Sequence, residues 1–119
     1  MHTAGLAFVA LVAVLHVYIL ILEMFLWRTP RVRRTFGLTQ EFADESASLA
    51  ANQGLYNGFL AAGLFWGLLA PEPTGHAVRI FFLCCVLVAG VYGAVTATRR
   101  IIYVQALPAA AALALTLAA

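Results

Sequence analysis

The chain has 119 residues and a formal net charge of +2, and 64% of its residues are hydrophobic whereas only 10% are charged. A soluble domain of this length carries far more polar surface, so the composition excludes an ordinary soluble domain and predicts that much of the surface faces a lipid bilayer. The modest charge gives no reason to expect a nucleic-acid partner. The length fits a single domain, residues 1–119.

The first predicted element is a membrane-spanning helix over residues 5–27, apolar except for His16 and Glu23. At about 1.5 Å per residue, about 20 apolar residues match the roughly 30 Å thickness of the hydrocarbon layer. The segment lacks a basic N-terminal region, its apolar run is too long for a signal peptide, and arginines follow it instead of a cleavage site. We therefore expect it to be retained as a spanning helix.

A cytoplasmic loop is predicted at residues 28–47, between the first and second spans. Pro30 and Gly37 are expected to break helical structure in this loop. Thr39 is a suitable N-cap, and the acidic residues that follow it are favourable near a helix N-terminus. The second helix is therefore expected to begin near Gln40, before it enters the membrane.

Three further apolar segments complete the predicted membrane domain, at residues 48–70, 78–98 and 101–119. Each is predicted to be a helix, because backbone polar groups in lipid must be satisfied within the segment. Pro108 predicts a bend or local unwinding in the last helix. The predicted fold is therefore all-α, a bundle of four transmembrane helices.

The arginines predict the orientation of this bundle. Six of them follow the first span or join the third span to the fourth, namely Arg28, Arg31, Arg33, Arg34, Arg99 and Arg100. Arg79 lies instead at the other end of the bundle, where the connection between the second and third spans meets the third span. Because basic loops stay in the cytoplasm, both termini are expected outside in a multi-pass membrane protein.

Polar side chains gather in the predicted cytoplasmic half of the bundle, and they define the candidate site. At about 100° per residue, the polar positions of each helix share one face. If these faces point inward, Glu23 meets Gln53 and Asn57. The principal candidates for ligand or proton binding are Glu23, Gln53, Asn57, Tyr92 and Arg99. The secondary candidates are His16, Asn52, Tyr56, Thr96, Tyr103 and Gln105.

Two interpretations of Glu23 stay open. The carboxylate is either a structural staple paired with Arg99, or a group that binds a proton or cationic ligand beside Gln53 and Asn57. Interhelical hydrogen bonds in membranes contribute on average only about 0.6 kcal/mol each, so stapling alone is a weak reason for so many polar groups. We favour the binding site. His16 is expected to be a packed histidine rather than a proton relay.

Four segments carry a resemblance to a known family: "LHVYILILEMFLW", "ANQGLYNGFLAAGLFWGL", "VAGVYGAVTATRR" and "IIYVQALPA". In this order they resemble the small bacterial membrane proteins grouped as domain of unknown function 1304. The resemblance covers nearly the whole chain. It implies a four-helix protein of the bacterial inner membrane and implies no activity. The chain also resembles small multidrug exporters, but more loosely. The similarity is one of architecture, with four spans and one carboxylate in the first helix.

These observations lead to three functional hypotheses. In the first, the protein binds a small amphipathic or cationic solute in a polar pocket on the cytoplasmic side. One form of this function is proton-linked transport, and the expected assembly is a homodimer. The second is an accessory subunit of a larger membrane complex. The third is an isoprenoid- or quinone-binding protein or an intramembrane enzyme, which no nucleophile–base pair supports. The sequence therefore leaves enzymatic activity open, with its absence favoured, and we expect no metal and no cofactor.

Overall fold

The computed structural model describes residues 2–97 and 102–119, and over these residues the chain is helical, without a β-strand. Five α-helices follow one another in the chain. They are α1 (His2–Met24), α2 (Pro30–Phe36), α3 (Gln40–Leu69), α4 (Thr74–Thr96) and α5 (Leu107–Ala118), and a π-helical segment, Ile102–Ala106, leads into α5. The all-α prediction is confirmed.

Two of the described helices, α1 and α4, are long and apolar enough to cross a membrane, judged by their length and composition. Tyr103–Ala118 forms a shorter apolar helix. The helices divide into two compact units. We refer to the described residues of Met1–Val14 and Leu60–Ala119 as the core unit, and to Leu15–Phe59 as the groove unit.

The core unit is built around small and branched apolar side chains that are completely buried. They are Val9, Val12, Ala13, Leu64, Leu83, Val86, Ala109 and Ala112. The small residues let the helix backbones approach closely. A Cβ on Gly90, for example, would lie 3.0 Å from the backbone nitrogen of Ala106. Close backbone approach through small residues is typical of helix packing in membranes.

A buried arginine stabilises the turn between α3 and α4 in the core unit. The side chain of Arg79 is only 3% exposed, and its guanidinium donates a hydrogen bond to the Gly67 carbonyl over 2.8 Å. The same guanidinium pairs with the Glu72 carboxylate at 3.1 Å. Gly67 makes room for this arrangement, because a Cβ there would lie 2.7 Å from Cγ of Arg79. The sequence placed Arg79 where the connection meets the third span, whereas α4 begins five residues earlier, at Thr74.

Pro108 lies in the first turn of α5, directly after the π-helical segment. Proline has no N–H, so it cannot donate to the carbonyl of the residue four positions earlier. The helix register changes at this point and the regular α-helix begins at Leu107. The predicted local unwinding at Pro108 is confirmed.

The groove unit contains a helix that the sequence did not predict. We expected Pro30 to break helical structure, but Pro30 begins α2, because the N–H that proline lacks has no partner at the first position of a helix. Thr29 caps this helix, and Gly37, at φ 68°, ends it in the left-handed conformation. The helix start at Gln40 is confirmed, since Oγ1 of Thr39 accepts a hydrogen bond from the Phe42 N–H over 3.0 Å.

Candidate functional site

The Glu23 carboxylate of the groove unit is hydrogen-bonded to Asn57. The Asn57 amide nitrogen donates to Oε1 of Glu23 over 2.6 Å and to the backbone carbonyl of Gln53 over 3.1 Å. Both neighbours are acceptors, and the two hydrogens of one NH₂ group therefore satisfy both. Glu23 itself is half-buried. The amide thus holds the carboxylate in a defined orientation on the face of α1.

Glycines on α3 bring this asparagine close to Glu23. A Cβ on Gly54 would lie 2.6 Å from Cγ of Met24, 3.1 Å from Cβ of Glu23 and 3.2 Å from the carbonyl oxygen of Leu20. A Cβ on Gly58 would meet only the end of the Leu20 side chain, at 2.6 Å. The absent side chain at Gly54 therefore lets the last turns of α1 lie directly on the backbone of α3.

An open groove of about 450 Å³ begins at Glu23. Its lining combines one acidic and one basic side chain with hydroxyl, aromatic and small residues. The lining residues are Glu23, Met24, Phe25, Trp27, Arg28, Thr29, Ala47, Ser48 and Ala51. Small-molecule sites usually have a similar volume, about 300–1,000 Å³, but they are more enclosed than this groove.

The wall of the groove is fixed by Trp27. Its indole N–H donates to the Ser46 hydroxyl over 3.0 Å, and that hydroxyl donates to the Phe42 carbonyl over 2.6 Å. The indole also packs near the ring of Phe36, with the ring centroids 5.7 Å apart. These contacts connect the turn after α1 to both α2 and α3 within the unit.

Arg28 reaches the same groove because the chain turns sharply after α1. The N–H groups of Phe25 and Leu26 both donate to the carbonyl of Ile21, and the Thr29 hydroxyl donates to the Leu26 carbonyl over 2.7 Å. Arg28 pairs with Asp44 at 4.0 Å, with both side chains at least half exposed. An exposed ion pair at this distance contributes little, so the guanidinium is only weakly held.

The remaining predicted residues of the groove unit lie outside this groove lining. The Gln53 side chain is exposed, and this residue contacts Asn57 through its backbone. Asn52 is exposed, as is Tyr56, whose ring packs edge-on against Phe59. His16 is completely buried and engaged in an interaction, as expected for a packed histidine.

The predicted site residues of the core unit show mostly exposed side chains. Tyr92 and Tyr103 are exposed, and the Thr96 hydroxyl donates to the Tyr92 carbonyl of its own helix over 2.8 Å. Gln105 is half-buried and has an interaction partner. Arg99 lies outside the residues that the structure describes.

The sequence prediction missed the basic and hydroxyl residues of the groove. Arg28 was interpreted only as a marker of topology, and Thr29 and Ser48 were not singled out. A signal was present for α3, where Ala47, Ser48 and Ala51 are small residues at helical spacing, which leaves room beside a helix. No such pattern predicts the turn that directs Arg28 toward the groove.

Over the described residues, the fold and the site together define a small helical protein with two helices long and apolar enough to cross a membrane and a carboxylate–amide pair beside an open groove. The profile of the family described as "Protein of unknown function (DUF1304)" matches residues 10–117. The chain therefore belongs to the DUF1304 family, as the resemblance of its four segments indicated.

A relative of the chain is the uncharacterized protein YpaA of Lactococcus lactis subsp. lactis (strain IL1403). The two are 33% identical over 97 residues, which cover 80% of this chain and 81% of that protein. No solved structure matches the chain significantly.

Proposed function

We propose that this protein is a multi-pass protein of the bacterial inner membrane that binds a small amphipathic cation in the groove beside Glu23. In this proposal the protein has four membrane spans, both of its termini lie outside, and the groove is on the cytoplasmic side. Its assembly is a homodimer, because a second copy would close a groove that one copy leaves open. If the protein transports the ligand, the transport is linked to protons, because Glu23 releases a proton when it binds the ligand.

The exposed apolar surface supports the membrane part of the proposal. One face of α1 exposes large apolar side chains at three- and four-residue intervals, among them Phe8, Leu11, Val14, Tyr18 and Ile21. In α4 the exposed positions include Phe81, Val88 and Val95, the last at 81%. Monomeric soluble proteins rarely expose continuous apolar surface of this extent, whereas lipid is a suitable solvent for it.

The arginine distribution supports the orientation. In this topology Arg28 and the arginines of α2 lie on the cytoplasmic side, where positive charge is retained. Arg79, on the opposite side, is neutralised by Glu72 at 3.1 Å and buried rather than exposed. The six-to-one division of the arginines therefore favours this orientation.

The single observation that carries the ligand proposal is the Glu23–Asn57 pair at the edge of the groove. A carboxylate has about four acceptor positions, so the bond from Asn57 leaves capacity for a cationic donor. Because Glu23 is half-buried, a cation that reaches it is partly desolvated, which strengthens the attraction. The aromatic and small residues of the lining offer apolar contact to the remainder of the ligand.

The test is ligand-induced stabilisation of the full chain, purified in detergent and titrated with tetraphenylphosphonium as a lipophilic cation. The wild type is expected to gain stability saturably, by about 2.7 kcal/mol when the ligand is at 100 times its Kd. Glu23→Gln is expected to lose this gain. The control is Glu41→Gln, an exposed carboxylate of α3 that does not line the groove.

Two outcomes would contradict the proposal. An equal stabilisation of Glu23→Gln would show that the cation binds elsewhere. A protein that no cation stabilises, and that copurifies in defined stoichiometry with a larger membrane complex, would instead favour the accessory-subunit hypothesis.

A further inference from the structure

We propose that the groove selects a zwitterion, specifically the headgroup of an aminophospholipid, with the ammonium at Glu23 and the phosphate at Arg28. This inference rests on the proposed function, since it uses the same groove and the same carboxylate. It adds Arg28 as a specificity-determining residue. The inference also narrows the class of ligand, from amphipathic cations in general to molecules that carry both an ammonium and a phosphate.

The first argument is charge complementarity. Glu23 and Arg28 both belong to the lining of one groove, so a ligand there lies beside one acidic and one basic residue. A simple cation complements Glu23 alone and uses no charge of Arg28. A molecule with an ammonium and an anionic group satisfies both.

The second argument is the chemistry of the two charged groups. Guanidinium presents a planar array of donors that matches phosphate oxygens in pairs, and such charge-assisted bonds are short and strong. The pair with Asp44 is long, at 4.0 Å, and exposed, so a phosphate can displace it at little cost. A primary ammonium carries three N–H donors, which suit a carboxylate that already accepts one bond from Asn57.

The third argument is the lining beyond the charges. Met24, Phe25, Ala47 and Ala51 are apolar residues of the lining, and Ser48 adds a hydroxyl group. In the proposed topology this groove lies where α1 ends on the cytoplasmic side, at the level of the headgroups. A lipid headgroup with attached acyl chains fits this combination better than a free zwitterion, which offers nothing to the apolar residues.

The experiment uses the full chain in detergent and measures binding of short-chain dihexanoyl phospholipids by Trp fluorescence, since Trp27 lines the groove. Phosphatidylethanolamine is expected to bind at least about tenfold tighter than phosphatidylglycerol, which lacks the ammonium and its charge-assisted hydrogen bond to Glu23. Phosphatidylcholine, whose ammonium has no N–H, is also expected to bind more weakly. Free phosphoethanolamine is the arm that separates a lipid from a soluble zwitterion, and it is expected to bind more weakly than the lipid.

The matched variants are Arg28→Gln and Arg31→Gln. Arg28→Gln is expected to weaken phosphatidylethanolamine binding about tenfold or more, by the loss of the charge-assisted contact with phosphate. Arg31 is an exposed neighbouring arginine outside the groove lining, and its substitution is expected to leave binding within about twofold, since only screened, long-range attraction is lost. Thermal unfolding of each variant without lipid checks that it is folded.

The failures of the two proposals are distinguishable. If tetraphenylphosphonium binds in a Glu23-dependent manner but phosphatidylethanolamine does not bind, the zwitterion inference is wrong and the proposed function stands. Equal binding of phosphatidylglycerol and phosphatidylethanolamine, lost in Arg28→Gln but not in Glu23→Gln, would also overturn the inference. Free phosphoethanolamine binding as tightly as the lipid would contradict the lipid headgroup as the ligand.

Discussion

The Asn57 amide donates one hydrogen to the Glu23 carboxylate over 2.6 Å and the other to the Gln53 carbonyl over 3.1 Å. This geometry gives each group a distinct role. Glu23 and the Gln53 carbonyl are acceptors, and Asn57 is the donor that connects them. Substitutions that exchange the donor at position 57 and the acceptor at position 23 therefore have a predictable effect on stability.

The first prediction concerns this donor. Asn57→Ala is expected to destabilise the protein by about 1 kcal/mol, because the hydrogen bond to Glu23 is lost. Hydrogen bonds between membrane helices make only modest contributions to stability. Asn57→Asp is expected to be more harmful, since it places a second carboxylate against Glu23. The combination of Asn57→Asp with Glu23→Gln restores one donor and one acceptor, and should recover part of the loss. Thermal unfolding of the purified variants in detergent measures these effects.

Recovery should be incomplete, because the carboxylate introduced at position 57 would still face the Gln53 carbonyl, which needs a donor. If the double variant were no more stable than Asn57→Asp alone, the interaction between the two side chains would not contribute to stability.

The second prediction compares two glycines of α3. Gly54→Ala is expected to cost about 1–3 kcal/mol, the usual cost of overpacking, because its methyl group would press on the Leu20 carbonyl and on Cβ of Glu23. Gly58→Ala should cost less than about 1 kcal/mol, because the methyl meets only the movable end of Leu20. Unfolding midpoints of the two variants, which add the same methyl group one helical turn apart, give the comparison. Equal midpoints would contradict the close approach at Gly54.

The start of α3 and the irregularity beside Pro108 were predicted from the sequence, because each depends on a few adjacent residues. Thr39 caps α3 at Gln40 as expected, and Pro108 is accompanied by a change in helix register. The shared faces of α1 and α3 also indicated that Glu23 would meet Asn57, and their side chains are hydrogen-bonded. Helical periodicity is regular enough for this inference.

The features that the sequence did not predict depend on contacts between distant residues or on irregular backbone. Arg28 reaches the groove through a turn in which two N–H groups share the Ile21 carbonyl, and no periodic pattern describes such a turn. Pro30 was interpreted as a helix breaker although proline is equally suited to the first position of a helix. The burial of Arg79 depends on Glu72 and the Gly67 carbonyl, which local sequence does not identify as its partners.

The third prediction concerns Arg79. Arg79→Ala is expected to cost about 2–4 kcal/mol, since it removes the bond to the Gly67 carbonyl and leaves a cavity where a buried side chain packed. Glu72→Gln is the control, because Glu72 is 55% exposed and an amide oxygen can still accept from Arg79. Its effect should be smaller than that of Arg79→Ala in the same unfolding assay, because the acceptor is kept although the counter-charge of the buried guanidinium is lost. A large effect of Glu72→Gln with a small effect of Arg79→Ala would contradict the conclusion that Arg79 is the residue that stabilises this turn.

The fourth prediction tests the proposed topology. Thr35 and Thr74 are exposed positions on either side of the proposed membrane domain. After replacement of Cys84 and Cys85, a cysteine at position 74 should react with an impermeant maleimide in intact cells, and a cysteine at position 35 should react only after the membrane is opened. Labelling of position 35 from the periplasm would contradict the orientation given by the arginines.

The most direct test of the central claim, that the ligand binds at Glu23, is carbodiimide modification followed by mass spectrometry. Carbodiimides react with carboxyl groups, and a hydrophobic reagent such as dicyclohexylcarbodiimide favours carboxyls in apolar surroundings. Glu23 should be modified in the free protein and protected by saturating tetraphenylphosphonium, whereas modification of the exposed Glu41 should be unchanged. Unchanged modification of Glu23 at saturating, demonstrably bound ligand would contradict a binding site at this carboxylate.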